Sequence, residues 1–213
     1  MATGYELVTL PAARQHLQVN DSKQDGLIQS LITQSSETLE DKLGREIITR
    51  GSVSTPLVEY HTVCRWSEEL FLRDWPIITV YEVAEDRDRS YGSETVLVES
   101  TDYIVSKPTG KLIRVNGSAP KAWLQGFRAI RVKYAGGYAT VATVPGWLAN
   151  LCQEHVARMY RAIERKEQGL SGVADEFGNL SRFGDEMLTA EMTDTLMSHA
   201  HYKLGQPTGE RDA

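Results

Sequence analysis

Apolar positions in the first forty-odd residues recur every three or four places, the period of an amphipathic helix. A short helix is predicted over 9–18, with Thr9 as its cap, Pro11 in its first turn, and Leu10, Ala13 and Leu17 on its inner face. A second is predicted over 22–43. Ser22 and Asp25 give it a capping-box-like start, Leu27, Ile28, Leu31, Ile32, Ser35, Leu39 and Leu43 turn inward, and Gly44 stops it. Ser35 and Ser36 thin the apolar stripe midway, which suits a close approach by another backbone.

From about residue 46 the period falls to two. Strands are predicted at 46–50, 53–61, 70–73, 77–84, 95–99, 103–106, 111–115 and 129–134. Asp86 to Gly92 reads as a polar hairpin tip and Pro108-Thr109-Gly110 as a tight turn. Trp75-Pro76 closes one strand, since proline pushes the residue before it into extended geometry. Gly136 and Gly137 are expected to break the last strand through positive φ angles. Val144-Pro145 then opens a long helix over 145–167. Leu148, Leu151, Cys152, Val156, Met159, Tyr160 and Ile163 form its stripe, and Glu154, Arg158, Arg161, Glu164 and Arg165 lie elsewhere on its circumference.

Beyond Gln168 the texture changes. Gly169 to Gly184 reads as a flexible loop, and Asp185 is the expected cap of a last helix carrying Met187, Leu188, Met192, Leu196, Met197 and Ala200, stopped by Gly205. The pattern predicts an α+β fold. Two N-terminal helices and the long helix form a bundle core, an antiparallel β insertion spans 46–135, and a C-terminal helix follows on a flexible loop. The expected organisation is a body over 1–168 and an extension over 169–213.

Charge narrows the partners. The 213 residues carry 23 Lys and Arg against 29 Asp and Glu, a net −6, which argues against a general nucleic-acid clamp. No apolar run approaches the length needed to span a bilayer, and the first residues do not read as a signal peptide, so no membrane partner is expected. The two cysteines, Cys64 and Cys152, stand in unlike contexts, which points to free thiols in a reducing compartment.

Candidate chemistry is sparse. Gly110-Lys111 lacks the rest of a phosphate loop, and Ser118-Ala119-Pro120-Lys121 has a proline where a Ser-Lys pair needs a helical turn. Cys152 and His155 share a helix face, as two metal ligands could, but a zinc site needs three or four. A packed cysteine beside a hydrogen-bonded histidine is the preferred reading. Glu85, Asp86 and Asp88 read as solvated charges at a hairpin tip. No cofactor, no metal and no catalytic residue is expected.

A set of short motifs carries a resemblance. They are Leu10 to Val19, Asp25 to Ile32, Leu43-Gly44-Arg45, Leu72 to Ile77 with its Trp-Pro-Ile, Asp102-Tyr103, Gly110-Lys111-Leu112, and Val132 to Tyr138 closed by Val144-Pro145. In this order and spacing they resemble the phage head–tail connector proteins, also called head–tail adaptors or DNA-packaging connectors, over about residues 5–167. The resemblance implies a non-enzymatic structural role in the virion neck, reached from the host cytoplasm during assembly. Such proteins form a homo-oligomeric ring, usually dodecameric, beneath the portal protein. The ring extends the channel for genomic DNA without gripping it and offers a docking surface to tail-completion or head-closure proteins. On that reading 169–213 is a portal-contacting extension, and Arg158, Arg161, Arg165, Phe177, Phe183, Met187 and Met192 are the candidate subunit or portal interface. The alternatives are a small metal- or cysteine-dependent hydrolase or nuclease, and a bacterial protein-binding module.

Overall fold

The computed structural model describes residues 5–164, 173–174, 180–181 and 188–200. The expected α+β class is borne out, and the chain divides into two compact units. A helical unit comprises Met1–Gly44 and Val144–His201, and a β unit is built from Arg45–Thr143.

In the helical unit, α1 (Leu10–Leu17) starts at Thr9, whose hydroxyl accepts the Ala12 N–H, and ends at Gln18 in the left-handed region. A 3₁₀ turn over Ser22–Gln24 leads into α2 (Asp25–Leu43), which Gly44 closes at φ 63°. The predicted start at 22 thus holds, although the first turn is tighter than an α-helix. Leu27 departs from the expected stripe and is 37% exposed, whereas Ile28, Leu31, Ile32, Ser35 and Leu39 are buried as read.

The long helix α3 (Gly146–Glu164) buries Leu148, Leu151, Cys152, Val156, Met159 and Tyr160, while Ile163 is half-buried. It packs along α2. The predicted extension of this helix to 167 lies outside the described residues. Two short strands in the stretch read as a loop, β8 (Val173–Ala174) and β9 (Leu180–Ser181), pair antiparallel. The last helix, α4 (Ala190–Ala200), begins five residues beyond the expected Asp185, with the Thr189 hydroxyl accepting from Met192 N–H. The expected cap, Asp185, lies outside the described residues. The helix α4 lies beside α2, and the Gly205 stop falls outside the described residues.

The β unit holds two antiparallel sheets. One has the order β1 (Leu57–Val63), β7 (Gly126–Gly136), β3 (Ile77–Glu85). The other orders β2 (Glu69–Phe71), β5 (Lys111–Asn116), β4 (Tyr103–Ser106), with the two-residue β6 (Ala119–Pro120) paired to β5. Their inward faces meet in a core of Leu70, Leu72, Val83, Leu112, Trp123, Ile130, Val132 and Tyr134. Two predicted strands are absent. Residues 46–50 contribute only an isolated bridge from Ile48 to Tyr138, and 95–99 only one from Val96 to Ala84 beside a 3₁₀ turn over Ser93–Thr95. Ile47 and Ile48 are buried without a ladder, whereas Val96 and Val98 are exposed and only Leu97 packs partly against the core.

The Gly-Gly break also works differently from expectation. The strand β7 runs through Gly136, and only Gly137 takes a positive φ, of 97°. Gly136 serves close approach instead: a Cβ there would lie 1.8 Å from the Asp74 carbonyl oxygen. Replacing Gly136 with alanine is therefore expected to cost at least about 2 kcal/mol, read as a fall in melting temperature. In the helical unit, Leu31→Ala or Met159→Ala should each cost about 2–5 kcal/mol in denaturant unfolding, and an unchanged midpoint would remove both from the core.

Candidate functional site

Several of the motifs that carry the resemblance meet in the β unit, while Leu10 to Val19 and Asp25 to Ile32 lie in and beside α1 and α2 of the helical unit. Arg45 lies with its guanidinium 3.8 Å from the centre of the Trp75 ring and donates to the Trp75 carbonyl. The next residue, Glu46, gives its N–H to the fully buried carboxylate of Asp74 at 2.8 Å. On the other side, Gly137 N–H bonds the Pro76 carbonyl at 2.9 Å, and Tyr138 N–H bonds the Ile47 carbonyl at 2.7 Å. The Trp75–Pro76 peptide is cis. The segments Arg45-Glu46-Ile47, Asp-Trp-Pro-Ile and Ala-Gly-Gly-Tyr are thus three sides of one backbone crossing.

Beneath it lies a polar network. Tyr134 donates to Glu59 and accepts the Asp74 N–H at 3.1 Å, and Glu59 also accepts the Arg73 N–H at 2.9 Å. Arg73 pairs with Asp74 at 3.2 Å, and His61 faces Glu59 at 3.2 Å. Burial resists the ionised Glu59, yet the bonds and charge from His61, Tyr134 and Arg73 win and hold its carboxyl below the usual range. Burial and the two neighbouring carboxylates push the Tyr134 phenol well up, so it stays a donor. Tyr134, Glu59 and Asp74 each hold a backbone N–H in place.

Glu85 and Asp86 at the end of β3 are likewise structural, contrary to their reading as solvated charges, whereas Asp88 is exposed as read. Glu85 pairs with buried Arg114 at 3.0 Å and accepts the Leu124 N–H at 3.0 Å. Arg114 also donates to the carbonyls of Asp102 and Val115. Asp86 accepts from the Ser90 hydroxyl at 2.7 Å, from Tyr91 N–H at 2.7 Å and from Asp88 N–H at 2.8 Å. Those bonds, with Ser90 foremost, hold its carboxyl down at about 2. Sequence reading missed these roles because the partners lie up to 39 positions away.

In the helical unit, Ser35 bridges the two candidate chemical residues. Its hydroxyl lies 3.0 Å from His155 Nδ1 and 3.3 Å from Cys152 Sγ, and it donates to the Cys152 carbonyl at 3.4 Å. Ser36 bonds the Ile32 carbonyl and accepts the Leu7 N–H at 3.1 Å. The thinned stripe on α2 does admit a close backbone approach. Burial pushes the Cys152 thiol up and the His155 imidazole down, so both are held neutral. Neither reaches solvent, and a nucleophile needs access as well as a base. Among the described residues no group of three or more His, Cys, Asp or Glu could hold a metal. No described helix is long and apolar enough to cross a membrane.

Of the seven expected interface residues, Arg158 and Arg161 are exposed on α3 and make no ion pair among the described residues. Met192 is 3% exposed, packed within its own helical unit and not presented for docking. Arg165, Phe177, Phe183 and Met187 lie outside the described residues.

Residues 8–63 match the family model described as phage gp6-like head–tail connector protein. The resemblance read from the sequence is borne out. Among solved structures, a chain from the neck of an empty GTA particle with C6 symmetry superposes at a TM-score of 0.56 with 17% identity, covering 100% of this chain and 96% of that one. A chain of the virion of a native gene transfer agent particle gives 0.53 and 18%, covering 84% and 87%. One from the neck of a native GTA particle with C12 symmetry gives 0.52 and 17%, covering 100% and 96%. At such identities these likenesses speak for a shared fold. No curated protein matches the chain.

Three outcomes follow from the geometry. Glu85→Ala removes one of two carboxylates facing the Arg114 guanidinium, Asp102 remaining at 3.5 Å, and should cost about 1.5–3 kcal/mol in denaturant unfolding. Thiol titration of the native protein should modify exposed Cys64 rapidly and Cys152 only on unfolding. The folded carboxyl of Asp86 sits below its unfolded value, so its contribution is fully present above about pH 4 and is lost as pH falls through about 2. Acid melts should show this loss, and Ser90→Ala should reduce it.

Proposed function

We propose that the chain is the structural head–tail adaptor of a tailed phage or phage-like particle, a non-enzymatic subunit of an oligomeric ring in the neck. The observation that carries this is the backbone crossing at Asp74, Gly136 and Ile47, where the Trp-Pro-Ile and Gly-Gly-Tyr motifs hold backbone against backbone. The match of residues 8–63 to the connector family and the whole-chain likeness to neck structures of sixfold and twelvefold symmetry support it. A ring of identical chains needs two unlike, complementary edges meeting head to tail, closing after a fixed rotation.

Finer parts of the proposal concern partners. The ring is a dodecamer seated under the portal protein, with the stretch 169–213 reaching towards it, and it offers its far side to a tail-completion or head-closure protein. Genomic DNA passes through without tight binding, consistent with a net charge of −6. Assembly takes place in the host cytoplasm. Arg158 and Arg161 project from α3 as forked donors for carboxylates on a neighbouring subunit or on the portal.

Light scattering with and without portal rings tests the reading: the full chain should form or join a ring, and a persistent monomer in both conditions would overturn it. Arg158→Glu or Arg161→Glu should weaken assembly, whereas an unchanged response would return both to the solvated face of α3. Duplex DNA binding should stay weak at physiological salt, and a tight, steeply salt-dependent complex would count against a passive conduit.

A further inference from the structure

Among Asn20, Asn116, Asn150 and Asn179, Asn116 alone precedes a glycine. The pair stands at the tip of the β5–β6 hairpin, where Asn116 pairs with Ala119 and Gly117-Ser118 makes the turn. Gly117 takes φ 63° at the first turn position, a conformation that favours glycine. Both Asn116 and Gly117 are exposed, and a Cβ built on Gly117 would meet nothing within 4 Å. The Asn116 carboxamide makes no hydrogen bond among the described residues. It is free to turn towards the backbone nitrogen that follows it, and no side chain on Gly117 stands in the way.

This arrangement suits a reaction of the chain on itself. The Gly117 nitrogen attacks Cγ of Asn116, the new N–Cγ bond closes a cyclic imide, and the Cγ–Nδ2 bond breaks. The proton released from the Gly117 N–H leaves with Nδ2 as ammonia. Water then opens either carbonyl of the ring, which yields aspartate or, with the chain rerouted through the side-chain carbon, isoaspartate. The native fold opposes the first step. The Gly117 N–H donates to the Thr101 carbonyl at 2.9 Å, and Asn116 is held in extended geometry as the last residue of β5. A nitrogen engaged in that bond cannot reach Cγ, so attack waits for the hairpin tip to open locally.

We propose that Asn116 is a site of spontaneous deamidation, and that the Thr101 carbonyl sets its rate by holding the Gly117 nitrogen until the hairpin tip opens. The products disturb the fold. Each adds a negative charge to a chain already at net −6, and isoaspartate also inserts a carbon into the main chain where Asn116 pairs with Ala119. The neighbours at stake are Val115, whose N–H bonds the Asp102 carbonyl at 2.9 Å, and buried Arg114, which donates to the carbonyls of Asp102 and Val115. The inference stands apart from the ring reading.

The test uses the full chain, held at mildly alkaline pH in native buffer and in denaturant, with peptide mapping to follow aspartate and isoaspartate at position 116. The native chain should convert at least about tenfold more slowly than the denatured one. Hydrogen exchange of the Gly117 N–H goes through the same opening, so the slowing of exchange and of deamidation should agree within about threefold. Where native conversion is too slow to read, denaturant below the unfolding transition brings both into range. Asp102→Ala frees the Val98 N–H that the Asp102 carboxylate accepts at 2.9 Å, which loosens the turn carrying Thr101, and should speed both together. Asn116→Gln should keep the wild-type melting temperature and lose the product at that position. An unmodified Asn116 in the denatured chain would overturn the site. Equal rates in native and denatured chain, or conversion that does not follow Gly117 exchange, would overturn control by Thr101. The wild-type comparison decides the matter even where Asp102→Ala does not fold.

Discussion

Everything in the β unit is arranged around one close approach, that of the Gly136 backbone to the carbonyl oxygen of Asp74. No side chain fits there, since a Cβ would stand 1.8 Å from that oxygen. Because the two backbones touch, Gly137 can reach the Pro76 carbonyl, Tyr138 can reach Ile47, and Arg45 can lie on Trp75. The fully buried Asp74 carboxylate is tolerated because the Glu46 N–H and the Arg73 guanidinium satisfy it. One steric requirement thereby explains why a glycine pair, a Trp-Pro step and an arginine occur together although they lie far apart in the chain.

The helical unit uses a milder form of the same device. Ser35 and Ser36 replace bulky stripe residues, so α2 and α3 approach closely enough for a hydroxyl to bond a helix carbonyl and a thiol. The cost is a polar cluster in an apolar interface, offset because Ser35 meets His155 and Cys152, and Ser36 meets Ile32 and Leu7. Burial then keeps cysteine and histidine neutral, so the residues that look most chemical in the sequence are held away from chemistry. Polar groups are spent on holding backbone in place, and the surfaces left over carry rings and guanidinium groups.

Several features were legible before any coordinates. The helices were readable because burial on one face imposes a period that survives local noise, and the glycine after Leu43 has no rival role at the end of a stripe. The strands at 77, 103, 111 and 129 were readable for the same reason at period two. Residues 46–50 and 95–99 misled because alternation reports which side chains are buried and is silent on whether a neighbouring strand is there to complete a ladder. Glu85 and Asp86 misled because charge in a turn-rich stretch is ordinarily solvated, and their donors come from Arg114, Leu124, Ser90 and Tyr91.

By itself the sequence determined the local matters: element types, the caps at Thr9 and Gly44, the acidic balance, and the motif order that resembles a connector. Each depends on residues within a turn or two of one another, or on composition, and both can be read along a line. Tertiary structure alone decided the rest. It chose close approach over a turn at Gly136, neutral burial over reactivity at Cys152 and His155, structural pairing over solvation at Glu85, and self-packing over exposure at Met192. The clustering of Tyr60, Tyr91, Phe127 and Arg128 on one sheet face was equally out of reach, because register sets it. A single-residue slip in pairing would send those side chains to the opposite face, and no pattern within any one strand specifies its partner.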